Sequence, residues 1–296
     1  MSFEIFNIVA PIFLIAAIGY FIERRGNGFH GESLTRLVMW VGTPSLVFSS
    51  LTRTELPADD LSAMMLYAVV VVLVGGALSL AALALLRLPV RAYLPPLALP
   101  NSGNAGLPVV LFAFSDDGLA IGVAFFFTIA MTQYLVVPVI MAGRFQWRSV
   151  VREPLVWSIV AVVAVKGSGL EPPKAIAETT HILGGMVIPV MLVMLGGALA
   201  RLRVGDLATS AALAVLRLGI GVAAGTVVII LFGLDGIVAG AVFLLSAMPA
   251  AVVTYVFAER YGRSPERVAG LVVCSTVVTF LALPALVAVA LGVAGG

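Results

Sequence analysis

Ten apolar stretches occupy most of this 296-residue chain: 4–22, 34–51, 62–86, 94–115, 118–142, 154–170, 179–200, 207–232, 236–258 and 266–292. Short connectors between them hold nearly all of the charge. An α-helix needs about 20 predominantly apolar residues to cross the hydrocarbon core of a bilayer, so the pattern predicts an all-α membrane protein with ten crossings. Composition points the same way. Charged residues make up 11% of the chain, against about a quarter in a soluble domain, while 61% of residues are hydrophobic and mean hydropathy is +1.14. A water-exposed surface of this size cannot be covered by so few polar side chains. That excludes a soluble enzyme, a nucleic-acid binder and a disordered chain. The single cysteine, Cys274, excludes a disulfide framework and a multi-cysteine metal site. The first stretch has no basic residue before it and is followed by Arg24 and Arg25, the reverse of a secretion signal. It reads as a retained span.

Orientation follows from where Lys and Arg fall. Thirteen of the 17, from Arg24, Arg25 and Arg36 through Arg260, Arg263 and Arg267, sit in or beside the connectors after spans 1, 3, 5, 7 and 9. Arg53, Lys166 and Lys174 lie on the opposite side, and Arg217 falls inside span 8. Both termini are therefore expected on the non-cytoplasmic side.

A shift of 145 or 146 residues places Pro44 on Pro189, Asp60-Leu61 on Asp206-Leu207, Phe112-Ala113 on Phe257-Ala258 and Pro138 on Pro284. This internal register predicts two five-span repeats, residues 1–142 and 154–296, joined by a cytoplasmic connector at 143–153. Five is odd, so the second copy is inverted in the membrane. Inverted repeats recur in secondary transporters, which place substrate near the midplane on discontinuous helices. The interruptions are legible here. Span 4 contains Leu99-Pro100-Asn101-Ser102-Gly103-Asn104-Ala105-Gly106-Leu107-Pro108, and span 9 contains Ser246-Ala247-Met248-Pro249-Ala250-Ala251. Proline lacks the amide donor and glycine carries an entropic cost in a helix. Irregular backbone at that depth is tolerated only where protein or a water-lined cavity surrounds it.

Through Leu99-Pro100-Asn101, Gly106-Leu107-Pro108, Met248-Pro249 and Val256-Phe257-Ala258-Glu259-Arg260-Tyr261, the sequence resembles the auxin efflux carrier family of plant carriers and bacterial carboxylate permeases. Leu216-Arg217-Leu218 and Pro284 extend the likeness along the whole chain. The resemblance implies ten transmembrane helices in two inverted five-helix repeats, with broken helices 4 and 9 crossing at midmembrane, as in NhaA and the bile acid symporters. It implies a scaffold of spans 1, 2, 6 and 7 and a moving unit of spans 3–5 and 8–10. The implied function is secondary transport of a small organic anion by alternating access. A homodimer is admitted, and the coupling ion, proton or sodium, is left open. The long central loop of many plant carriers is absent.

The candidate substrate-binding residues are Asn101, Ser102, Asn104, Gly106, Gln133, Arg217 and Thr254; the candidate helix-break residues are Pro100, Gly103, Pro108, Met248 and Pro249. A neutral amide donates to a carboxylate at a lower cost at membrane depth than a charge. The resemblance places a substrate-contacting asparagine at Asn101. The alternative reading has both amides satisfying carbonyls freed by the break. A half-helix starting near Gly106 is expected to present unpaired N–H groups and a positive dipole end to an anion. Arg217 lies ten residues into span 8, about 15 Å deep. It either attracts the anion, braces the crossover by bonding freed carbonyls, or snorkels to the cytoplasmic face. Thr128, Thr132 and Gln133, with Ser275, Thr276 and Thr279, form repeat-related polar patches that line the site or glue helices together. No cofactor or metal is expected. Neither Lys166 nor Lys174 follows a phosphate-binding glycine motif, and no HExxH or intramembrane carboxylate pair occurs, so no catalytic constellation is present. A sodium-coupled symporter and a non-transporting sensor are the alternatives.

Overall fold

The computed structural model describes residues 2–26, 31–54, 57–143, 145, 151–201 and 206–295. His30, Arg203 and most of the 143–153 connector, including Arg144 and Arg148, lie outside the described residues. Among the described residues the α-helical segments are α1 (Ser2–Arg24), α2 (Gly31–Leu37), α3 (Thr43–Arg53), α4 (Ala58–Leu86), α5 (Val90–Ala98), α6 (Leu107–Ala142), α7 (Pro154–Ser168), α8 (Lys174–Gly185), α9 (Val187–Arg201), α10 (Leu207–Phe232), α11 (Gly236–Ala247), α12 (Val253–Arg260) and α13 (Pro265–Gly295). Two π-helical turns, Val38–Gly42 and Ser102–Gly106, link α2 to α3 and lead into α6. Among the described residues there is no strand, only one isolated bridge between Pro100 and Ala250.

Among the described residues, six helical stretches are long and apolar enough to cross a membrane: Phe3–Arg24, Asp59–Leu86, Ser102–Ala142, Lys174–Ala200, Leu207–Phe232 and Pro265–Gly295. The other stretches expected from sequence fall on helices that are interrupted or short. Stretch 34–51 is divided by the π turn at Val38–Gly42, and 236–258 ends its first helix at Ala247. Stretch 94–115 begins on the nine-residue α5, and 154–170 coincides with the 15-residue α7. The 36-residue α6 is not one straight rod. Phe114 (φ −135°, ψ 15°) and Ser115 (φ 57°, ψ −150°) are non-helical, which divides it where the sequence pattern separates stretch 94–115 from 118–142.

The helix ends follow local chemistry. Gly143, Gly169 and Gly233 terminate α6, α7 and α10 with positive φ. Asp206 caps α10 by accepting the Thr209 N–H (3.1 Å); the Thr209 side-chain hydrogen bond first, and this backbone bond second, hold its carboxyl below the usual aspartate range. Large apolar side chains such as Leu73, Leu85, Ile230 and Leu281 are exposed on the outer surface, as expected where lipid is the solvent. With lipid outside, helices associate by close packing rather than by hydrophobic burial. α1 and α9 do so through glycines: a Cβ at Gly19 would overlap the Val193 carbonyl, and one at Gly196 would overlap that of Ala16.

This contact makes a stability prediction. Gly196→Leu must separate two backbones and is expected to cost about 1–3 kcal/mol or more, read as a fall in the thermal unfolding midpoint in detergent. Gly76→Ala, where nothing lies within 4 Å of the added carbon, should leave the midpoint unchanged or raise it. Equal effects from the two variants would contradict the packing described.

Candidate functional site

Two helices stop at the same place for the same reason. A residue that precedes proline is pushed out of the α region by the proline ring. Leu99 (φ −102°, ψ 116°) before Pro100 and Met248 (φ −60°, ψ 153°) before Pro249 are both extended, ending α5 and α11. The backbone freed at one break is satisfied by the other. The Asn101 N–H donates to the Pro249 carbonyl (2.8 Å), and the Ala251 N–H donates to the Leu99 carbonyl (3.2 Å), reciprocal bonds around the antiparallel Pro100–Ala250 bridge. The breaks therefore cross in direct contact. All of Leu99, Pro100, Asn101, Met248, Pro249 and Ala250 are buried.

Asn101 organises the backbone after the first break. Its carbonyl accepts from the N–H groups of Ala105 (3.3 Å) and Gly106 (3.1 Å), and its side-chain Oδ1 accepts from the Asn104 N–H (3.3 Å). The helix thus starts as a π turn at Ser102, one turn earlier than the Gly106 start expected from sequence. The Gly106 N–H is already bonded, which leaves the N–H groups of Ser102 and Gly103 at the head of the helix. The Asn101 amide is only half satisfied: Nδ2 is buried and has no hydrogen-bond partner. Ser102 is buried beside it, while Asn104 is half-buried. Gly103 and Gly106 sit close to side chains: a Cβ would come within 2.8 Å of the Phe126 ring at the first and 2.7 Å of a Leu245 methyl at the second, so those side chains would have to shift. Pro108 sits in the first turn of α6, where its missing donor costs little.

Arg217, on α10, is 1% exposed. Its Nη2 donates to the carbonyls of Ser246 (3.1 Å) and Met248 (3.0 Å), the end of α11 and the start of the second break. Of the three readings left open by sequence, the observed contacts are those of a brace. The cation also faces the negative end of the α11 dipole. Gly221 and Gly225, one and two turns along the same face of α10, let that helix approach Ser246 closely. Among the described residues Arg217 is the one buried charged side chain, and no carboxylate is paired with it. Its Nε has no hydrogen-bond partner.

The polar residues of α13 and α12 divide. Ser275 accepts the Ala250 N–H (3.1 Å), so it holds the second break. Thr276 and Thr254 turn their hydroxyls onto Val272 (2.8 Å) and Ala251 (2.6 Å) carbonyls of their own chain segment. Thr279 is buried with a hydroxyl that has no partner. On α6, Thr128 and Thr132 bond the carbonyls of Ala124 (3.4 Å) and Thr128 (2.9 Å). Gln133 is half-buried, and among the described residues no hydrogen bond ties it to the crossover.

A cavity of about 710 Å³ opens between α3, α8 and α9 on one wall and α6 on the other. Arg53 and His181 lie on the first wall, and Asp116 and Asp117 on the second. Arg53 also pairs with Glu178 (3.7 Å), both exposed. Leu111 and Phe112, on the first limb of α6, are the wall residues nearest in sequence to the crossing. In sequence these charges look like ordinary span ends. Their convergence depends on tertiary placement, as does the choice of the Ser246 and Met248 carbonyls as partners for Arg217.

The chain matches the family described as membrane transport protein over residues 4–146 and 138–287, nearly its whole length. It is 26% identical to an uncharacterized transporter of Methanothermobacter thermautotrophicus, across 93% of this chain and 95% of that protein.

A brace and a ligand respond differently to mutation. Arg217→Ala leaves two buried carbonyls unpaired, at about 1–3 kcal/mol each, so the thermal midpoint without any substrate should fall strongly and Arg217→Lys should restore part of it. A substrate ligand would instead leave substrate-free stability unchanged.

Proposed function

The chain belongs to the auxin efflux carrier family of membrane transport proteins, and on that footing we propose that it is a secondary transporter for a small organic anion. The substrate class is a mono- or dicarboxylate or an auxin-like acid, held where the two broken helices cross and moved by alternating access. The observation that carries this reading is one of charge and donors. The crossover has a buried guanidinium behind it, a buried amide donor without a partner in front of it, and no buried Asp or Glu among the described residues. A carboxylate fits that surplus: Asn101 Nδ2 and the head of the π turn donate to it, while Arg217 acts through space rather than by contact. The attraction is strong enough to select an anion. It stops short of a direct ion pair, which would hold the anion too tightly to release it.

The finer architecture belongs to the same proposal. We read ten crossings in two inverted repeats, residues 1–142 and 154–296, with both termini on the non-cytoplasmic side, a bacterial inner membrane setting and the 143–153 connector inside the cell. The reciprocal bonds at the crossing support a two-fold relation between the breaks. So does the helical irregularity ahead of both Pro44 and Pro189, a π turn at Val38–Gly42 and a helix junction at Met186. In this reading α1–α3 and α7–α9 are the scaffold, α4–α6 and α10–α13 move, and the 710 Å³ cavity is the outward-facing access route between them. The buried, unpartnered Thr279 hydroxyl is the feature that favours a coupling cation as a second reading.

The test is binding and flux on one purified protein with a panel of small carboxylates. Asn101→Ala removes a hydrogen bond to a charged group worth about 1.5–3 kcal/mol, so affinity should fall about 10-fold to 150-fold and counterflow into proteoliposomes should fall with it. Unchanged affinity in a folded Asn101→Ala protein would overturn the site. Binding without flux in the wild-type chain would favour a sensor, and stabilisation of the wild type by sodium would favour the cation-coupled reading.

A further inference from the structure

A second cavity, of about 320 Å³, lies away from the crossover, between α1 and α9 on one side and α13 on the other. Its walls are formed by residues such as Ala17, Phe21, Gly196, Phe280 and Leu281. Two hydroxyls reach it, each with a hydrogen bond: Thr276 donates to the Val272 carbonyl (2.8 Å), and Tyr20 accepts from Arg24 Nε (3.2 Å). The rest of the lining is apolar, so the groove offers little to water or to a polar solute. Phe21 and Leu281, 60% and 76% exposed, leave it open sideways, where acyl chains are the solvent. At one end the Arg24 guanidinium lies 5.6 Å from the Tyr20 ring centroid, with Arg25 next in sequence.

We propose that this groove is a binding site for an anionic phospholipid, with one acyl chain between α1–α9 and α13 and the headgroup phosphate on Arg24. Basic side chains at the cytoplasmic mouth of an interhelical groove are what anionic headgroups select, at about 1 kcal/mol per arginine. The placement of Arg24 at the cytoplasmic surface rests on the orientation given under Proposed function. The groove separates the glycine-packed α1–α9 pair from α13, whose Ser275 holds the second break. A lipid seated there must shift whenever α13 moves against that pair, which makes the bound lipid a regulator of the transport stroke.

The experiment uses the full-length protein in detergent with added phosphatidylglycerol or phosphatidylcholine, reading retained lipid by native mass spectrometry and stability by thermal unfolding. Wild type should retain phosphatidylglycerol in preference to phosphatidylcholine and be stabilised by it. Arg24→Gln should lower that preference about fivefold, the equivalent of about 1 kcal/mol. Ala17→Phe, which fills the groove, should lose retention of both lipids, and Ala17→Leu should show the same loss in smaller degree if the larger variant fails to fold. Phosphatidylglycerol retained equally by wild type, Arg24→Gln and Ala17→Leu would overturn the site, as would equal stabilisation by inorganic phosphate alone. Neither readout requires a transported substrate, so failure here is distinct from failure of the transport reading.

Discussion

Everything at the centre of this protein depends on how unpaired backbone is satisfied away from water. Breaking a helix at membrane depth frees N–H and C=O groups whose desolvation costs about 1–3 kcal/mol each when unmet. Here each break supplies partners for the other, Asn101 to Pro249 and Ala251 to Leu99, while Arg217 and Ser275 satisfy the second break from neighbouring helices. Neither interruption is stable without its counterpart. The crossing is thus required if the freed polar groups are to be paired, and Gly221 and Gly225 of α10 let that helix come close to Ser246.

The groups that the satisfied crossing leaves over define its chemistry. Among the described residues, the buried side-chain atoms left without a partner are the donors Asn101 Nδ2 and Arg217 Nε and the Thr279 hydroxyl. A site built on fixed carboxylates would select cations, and one built on a directly exposed arginine would bind anions tightly. On the proposed reading, a buried cation held behind neutral donors would give intermediate attraction, suited to a ligand that is taken up and released in every cycle. The buried arginine contributes twice, structurally through its two carbonyl bonds and electrostatically through a charge that no carboxylate among the described residues neutralises.

The positions of the breaks were legible because proline acts locally: Pro100 and Pro249 constrain the residues before them whatever the surroundings. Asn101 was legible as a polar residue where polarity is costly, and Arg217 for the same reason. The form of the first break was not. Composition predicts disruption from Leu99 to Pro108, yet the chain resumes winding at Ser102 because the Asn101 carbonyl and side chain gather three N–H groups into a π turn. The role of Arg217 was also not legible, since a guanidinium that braces carbonyls and one that binds substrate look identical in sequence. Thr254 and Thr276 show the opposite outcome, candidate ligands whose hydroxyls are held by their own backbone. Six helices among the described residues meet the length for crossing, while the expected stretches 34–51 and 236–258 lie on interrupted helices and 154–170 on the 15-residue α7.

The most direct test is to locate a bound anion. Anomalous scattering from a bromine-substituted carboxylate, soaked into crystals of the protein, reports its position without reference to transport or coupling. A bromine peak is expected beside the crossed breaks, with the carboxylate within hydrogen-bond distance of Asn101 Nδ2. A peak confined to the outer cavity between Arg53, His181 and the Asp116–Asp117 pair, with the crossover empty at saturating ligand, would contradict it.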